Sequence, residues 1–189
     1  DDPSMFDWCV REFTKMLKKI HSVELEPGQL PDGKAQALMW ADFVRDYIPE
    51  EAGNKLRRLI EEIPDDNHMI HGDYHTKNLE LQDGEVLLID MDTLAMGAPV
   101  LEFASMFNAF VGFSESDPEH IKDFLGFDYE TAGRLFRGTL GAYLGTNDEA
   151  VIDDVVEKAA IMGYSRLIRR SIRRKGLEDD FRRAEIENW

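Results

Sequence analysis

One turn constrains this chain more than any other feature. Residues 79–81 (Leu-Glu-Leu) and 86–89 (Val-Leu-Leu-Ile) are short apolar-rich runs separated by Gln82-Asp83-Gly84-Glu85. An Asp-Gly pair is a favoured centre for a two-residue hairpin. This is the one clear strand signal in the sequence, and everything around it has apolar residues at helical spacing. The expected fold class is therefore mainly α with a small β-hairpin.

The helical signals are long and well punctuated. Phe6, Val10, Phe13, Leu17 and Ile20 predict a helix over residues 4–21, opened by Ser4 and Asp7 in the manner of a capping box. A loop with two prolines and two glycines, residues 26–33, precedes a second periodicity at Leu38, Ala41, Val44 and Ile48. A third, Leu56, Leu59, Ile60 and Ile63, stops at Pro64. After Pro99 helices are expected at roughly 99–112, 118–125, 128–145 and 148–175. No internal repeat or low-complexity segment interrupts them.

Composition bounds the function. With 189 residues and 43% hydrophobic content, the chain matches one domain with a substantial core. A formal charge of −16 repels nucleic acid and anionic membrane. The apolar runs are too short to span a bilayer, and the lone Cys9 reads as a core residue that fits a reducing compartment. The expected location is cytoplasmic, with no nucleic acid or membrane as partner. Charge is uneven, since residues 161–189 carry eight basic against five acidic side chains. The plain reading of that basic tail is a solvated helix face.

The polar residues around the hairpin carry the chemistry. If Asp83-Gly84 is the turn, Leu81 pairs with Val86 and Asn78 lies opposite Ile89, beside Asp90. An amide oxygen and a carboxylate then meet at the open end, hard donors suited to Mg²⁺ with water and phosphate completing its shell. Asp73, on the loop entering the same corner, could accept a proton from an alcohol. One Asp as base, with Asn and Asp on the metal, is the arrangement of phosphoryl transfer. Lys77 could steer phosphate, although a solvated lysine is the plainer reading.

The residues His71-Gly-Asp-Tyr-His-Thr-Lys-Asn78, followed by Leu87-Leu-Ile-Asp-Met-Asp92, resemble the catalytic loop and metal segment of the aminoglycoside phosphotransferase and choline kinase family. Those enzymes share the protein-kinase-like fold. The likeness extends to Gly97–Met106 and back to Leu17–Leu25, covering about residues 4–110. It implies Asp73 as catalytic base, with His75 beside the transferred phosphate in a catalytic and nucleotide-binding position. It further implies Asn78 and Asp90 as Mg²⁺ ligands and ATP as cosubstrate. Asp92 stands where protein kinases have a glycine, adding charge near the metal or capping the next turn. Ala98 and Glu102 replace the usual Asp residues of the following motif. The longer Glu keeps the reach to brace the catalytic loop.

The resemblance implies that residues 1–189 form a single domain, the C-terminal lobe of such a kinase, with catalytic loop 71–78 and metal segment 89–92. No strand-rich nucleotide lobe precedes residue 4, so the chain alone is expected to be inactive. Acidic stretches at 114–120, 126–130 and 147–157 would suit a cationic acceptor, or are simply solvated faces. Phe107, Phe110, Phe113, Phe124 and Phe136 read as core. His71 reads chiefly as a loop brace, and His21 and His68 as surface or capping residues. Two other functions stay open: a metallohydrolase using His71, Asp73 and His75, and a non-catalytic kinase-like binding module.

Overall fold

The structure, a computed structural model, describes residues 3–188. Eight helices and two small antiparallel sheets are present among them. The first helix, α1 (Pro3–Ile20), matches the expected span but is already under way at Pro3, so Ser4 lies inside its first turn rather than at its cap. The next two are α2 (Gly33–Arg45) and α3 (Glu50–Glu61). Asp32 caps α2 by accepting a bond from the Ala35 amide at 3.0 Å.

Four short strands follow. Strands β2 (Leu79–Gln82) and β3 (Glu85–Leu88) form the expected hairpin, pairing Leu81 with Val86 and Leu79 with Leu88. Asp83 (φ 53°) and Gly84 (φ 84°) are both left-handed, the backbone that a two-residue turn of this hand demands. The second pair, β1 (Met69–Ile70) with β4 (Ala95–Met96), was not expected. Two-residue strands are too short for an alternation signal. Their pairing closes residues 71–94 into one loop that carries the hairpin.

The remaining helices are α4 (Pro99–Phe110), α5 (Glu119–Leu125), α6 (Tyr129–Leu144), α7 (Glu149–Arg173) and α8 (Asp180–Asn188). The first four follow the expected boundaries closely, and α8 is additional. Helix α4 is the centre of the fold: every residue from Leu101 to Phe110 is buried, between α6 and α7. A helix that is apolar on most faces can be satisfied only inside a bundle. Phe13, Leu17, Tyr74, Met106, Phe110 and Leu140 pack at the heart of the main core. Phe13 meets Phe110 edge-on, with ring centroids 5.7 Å apart. Helix α7 crosses α4 closely at Gly163, where a β-carbon would lie 2.7 Å from the Phe107 ring and 2.8 Å from Asn108 Oδ1. The crossing depends on that missing side chain.

No helix among the described residues is long and apolar enough to cross a membrane. The body is mainly α, with a single hairpin projecting beside the loop at 71–78.

Candidate functional site

The loop after β1 is fixed almost atom by atom. Glu102, fully buried on α4, accepts hydrogen bonds from the amides of His71 and Gly72, the latter at 3.0 Å. The longer acid does reach and brace the loop. Gly72 is left-handed (φ 79°), and a β-carbon there would sit 2.5 Å from the Thr93 carbonyl oxygen, so only glycine fits. Its own carbonyl accepts from Ser105 Oγ at 2.9 Å and Arg166 Nη2 at 3.2 Å. Thr93 Oγ1 donates to the His71 carbonyl at 2.7 Å.

His71 is wholly buried, and both ring nitrogens serve the backbone. Nδ1 accepts from the Asp73 amide at 3.3 Å, which leaves Nε2–H to donate to the Ile89 carbonyl at 3.2 Å. The ring thus ties the loop to the end of the hairpin. It has no lone pair left for a metal, and the described residues contain no group of three His, Cys, Asp or Glu able to hold one. The metallohydrolase reading fails on both counts.

Asp73 emerges from this frame with its side chain 47% exposed. His75 Nε2 lies 3.6 Å from Asp73 Oδ2, too long for a strong hydrogen bond but close enough for charge attraction. His75, with help from the Arg166 guanidinium, holds the Asp73 carboxyl below the ordinary carboxylate range, against the desolvation that acts the other way. The other His75 nitrogen, Nδ1, is buried without a partner, and its ring meets Phe124 edge-on at 5.2 Å. Lys77 is exposed at its backbone end of the loop but lays its ammonium 5.1 Å over the Phe124 ring.

Asn78 is buried, and its Nδ2 donates to the Asp73 carbonyl at 2.8 Å. With the amide nitrogen fixed there, Oδ1 is the end left for a cation. The hairpin ladder continues through the Ile89 amide, which donates to the Asn78 carbonyl at 2.9 Å. Asp90 follows at once, exposed and in a left-handed conformation (φ 57°) that costs a non-glycine residue of order 1 kcal/mol. The expected register therefore holds out to Asn78 and Ile89, with Asp90 the next residue along, and amide and carboxylate oxygens are donors that suit a hard divalent cation. Asp92 lines a cavity of about 290 Å³ together with Gly72 and Thr93.

Beside Asp73 and His75 opens a cavity of about 590 Å³, walled by Trp40, Asn108, Phe113, Phe124 and a row of arginines from α7. Arg166 and Arg169 stack over the Trp40 ring at 5.2 and 5.1 Å, and Arg170 over Phe113 at 4.7 Å. The basic tail is thus not merely a solvated face. Phe113 and Phe124 are half-buried cavity walls, whereas Phe107, Phe110 and Phe136 are core as expected. The acidic stretches contribute no residue to this cavity; Glu149 and Asp153 pair instead with Arg137 on an outer surface. His21 is buried rather than superficial, bonded to Tyr143 Oη at 2.9 Å and 3.7 Å from Glu102. Its role was invisible because both partners lie far away in sequence.

A helical body with one hairpin, and a braced loop offering Asp73, Asn78 and Asp90 at one end, is the C-terminal lobe of a protein-kinase-like fold. The model of the phosphotransferase enzyme family matches residues 7–135, and the chain belongs to that family. Among curated proteins, no match was found. The matched segment includes α1, the loop and the hairpin, and ends before α7 begins.

Proposed function

We propose that this chain supplies the catalytic base and the metal-binding residues of an enzyme that transfers the γ-phosphoryl group of ATP to a hydroxyl of a small molecule, with Asp73 as base. The acceptor oxygen bonds to phosphorus as the bond from phosphorus to the β-phosphate oxygen breaks; Asp73 takes the hydroxyl proton and ADP leaves. The observation that carries this reading is the bracing of one half-exposed carboxylate. Glu102, Ser105, Thr93 and Arg166 fix the backbone on the N-terminal side of Asp73, and Asn78 fixes its carbonyl. A base must be held in position to act. Its lowered pKa keeps it ionised at neutral pH.

Asn78 Oδ1 and Asp90 are the residues that would hold Mg²⁺, which when bound neutralises charge on the nucleotide phosphates. Asp92, which lines the cavity with Gly72 and Thr93, is assigned no ligand role. His75 adjoins Asp73 on the cavity side and would contact the phosphoryl group. Lys77, over Phe124, would contribute charge at the same rim. The described residues include no glycine-rich loop to cover the phosphates, so by themselves they are expected to turn over little or no ATP.

Asp73→Asn in the full-length protein tests the reading. Phosphoryl transfer should fall by about 10²–10⁴-fold while the far-UV circular dichroism spectrum still shows an intact fold. Turnover equal to that of the parent would remove Asp73 from its role. Activity should also require Mg²⁺ and vanish with a general chelator.

A further inference from the structure

The arginines of α7 follow a pattern of their own. Arg166, Arg169, Arg170 and Arg173, with Arg174 at the C-cap, recur at spacings of three and four, which puts the helical four on one stripe, and all five line the cavity beside Asp73. A helix face turned toward a cavity is ordinarily apolar. Here Ile168 and Ser171 take buried positions, and the cavity is lined by arginine with Leu167 among them. Asp73 is the one acidic side chain in the same wall. In a chain of net charge −16, a pocket with five guanidiniums and one carboxylate is a reversal of the molecule's own field.

Asp73 attracts Arg166 and Arg170, but one carboxylate in the wall cannot balance five guanidiniums. Among the described residues none forms an ion pair with a carboxylate, and the hydrogen bond that Arg166 makes is to a neutral carbonyl. Burial pushes the pKa values of Arg166, Arg169 and Arg170 down, and repulsion from neighbouring arginines adds to the effect for all three, against the attraction of Asp73 on Arg166 and Arg170. Stacking on Trp40 and Phe113 orders the guanidinium planes and leaves N–H edges to meet a ligand. Like charges gathered and left unpaired are stabilised when an oxyanion arrives.

Resting on the phosphotransferase reading, we propose that the acceptor is anionic, an alcohol bearing a phosphate or carboxylate held by the α7 arginines while its hydroxyl faces Asp73. Arg169 and Arg173 carry the anion, Arg166 links the pocket to the Gly72 carbonyl, and Trp40 and Phe113 give the carbon skeleton apolar walls. This stripe lies outside residues 7–135, the segment that the family model matches.

The test is a binding measurement on the chain itself, so that it does not depend on turnover. Glucose 6-phosphate and citrate serve as phosphate and carboxylate probes, glucose as the neutral control and kanamycin as the polycation, each followed by calorimetry at two salt concentrations. At least one anion should bind, more weakly at high salt, with glucose much weaker. Which anion binds separates phosphate from carboxylate recognition. Arg169→Gln and Arg173→Gln should each weaken that binding about fivefold or more. Asp73→Asn should tighten it, because a negative charge leaves the wall; a purely structural arginine cluster would not respond in that sense. The proposal is overturned if kanamycin binds and neither anion does, if the arginine variants bind the anion unchanged, or if ATP competes for the same arginines. Its failure leaves the catalytic assignment of Asp73 standing, since that is tested separately by transfer activity.

Discussion

Glu102→Gln is the substitution whose cost the structure defines most closely. The carboxylate is fully buried and receives two backbone N–H groups, from His71 and Gly72. A glutamine can offer its oxygen to one of them, but its amino group must then confront the other, donor against donor. Loss of one hydrogen bond to a charged acceptor costs about 1.5–3 kcal/mol, and a buried N–H left without a partner about 1–3 kcal/mol, part of the same deficit. The neutral amide is easier to desolvate than a carboxylate, which offsets a fraction of this. The net loss should be about 2–4 kcal/mol, a fall in melting temperature of roughly 5–15 °C for a domain of this size. Urea unfolding followed by far-UV circular dichroism measures it, and amide exchange locates it. Exchange at His71 and Gly72 should accelerate more than in α6. A variant within about 0.5 kcal/mol of the parent, or one whose loss is spread evenly with no local acceleration, would refute the view that Glu102 holds the loop.

Three further outcomes follow from the same geometry. Gly72→Ala forces a β-carbon against the Thr93 carbonyl in left-handed backbone and should cost about 2 kcal/mol or more in urea unfolding. The lowered pKa of Asp73 means that its ion contributes stability fully above the ordinary carboxylate value of about 4, and loses it as pH falls through the lower folded value. The urea midpoint of Asp73→Asn should therefore lie furthest below the parent's at neutral pH and approach it in acid. Gly84→Val should cost about 1 kcal/mol or more by straining the turn, without shifting the far-UV spectrum of the helices.

How far the sequence disclosed these features depended on their range. The Asp83-Gly84 turn set the hairpin register, and register alone was enough to bring Asn78 opposite Ile89, because pairing outward from a two-residue turn has one solution. Helices α1, α4, α6 and α7 were legible from apolar spacing over several turns. Helix α8 was not, since Ile186 is its one side chain described as buried and it has no apolar stripe to detect. The tie from Glu102 to His71 spans 31 residues, and that from Arg166 to Gly72 spans 94, distances over which no local pattern reports. The arginine stripe did have a local signal, a basic i, i+3, i+4 periodicity set against Leu167 and Ile168. Basic residues at that spacing are ordinarily solvated, and net tail charge obscured which way they faced.

The close crossing of α7 over α4 has a mechanical consequence. Gly163 is a fulcrum: α7 rests there on Phe107 and Asn108 and continues as one unbroken helix to Arg173. A tilt of about 10° at the crossing would carry Arg173, roughly 15 Å further along the axis, through about 2.6 Å. That is comparable with the reach of a hydrogen bond. Pocket dimensions can thus be reset from the core by a single added methyl group, with every arginine and the whole of the catalytic loop left unchanged in sequence.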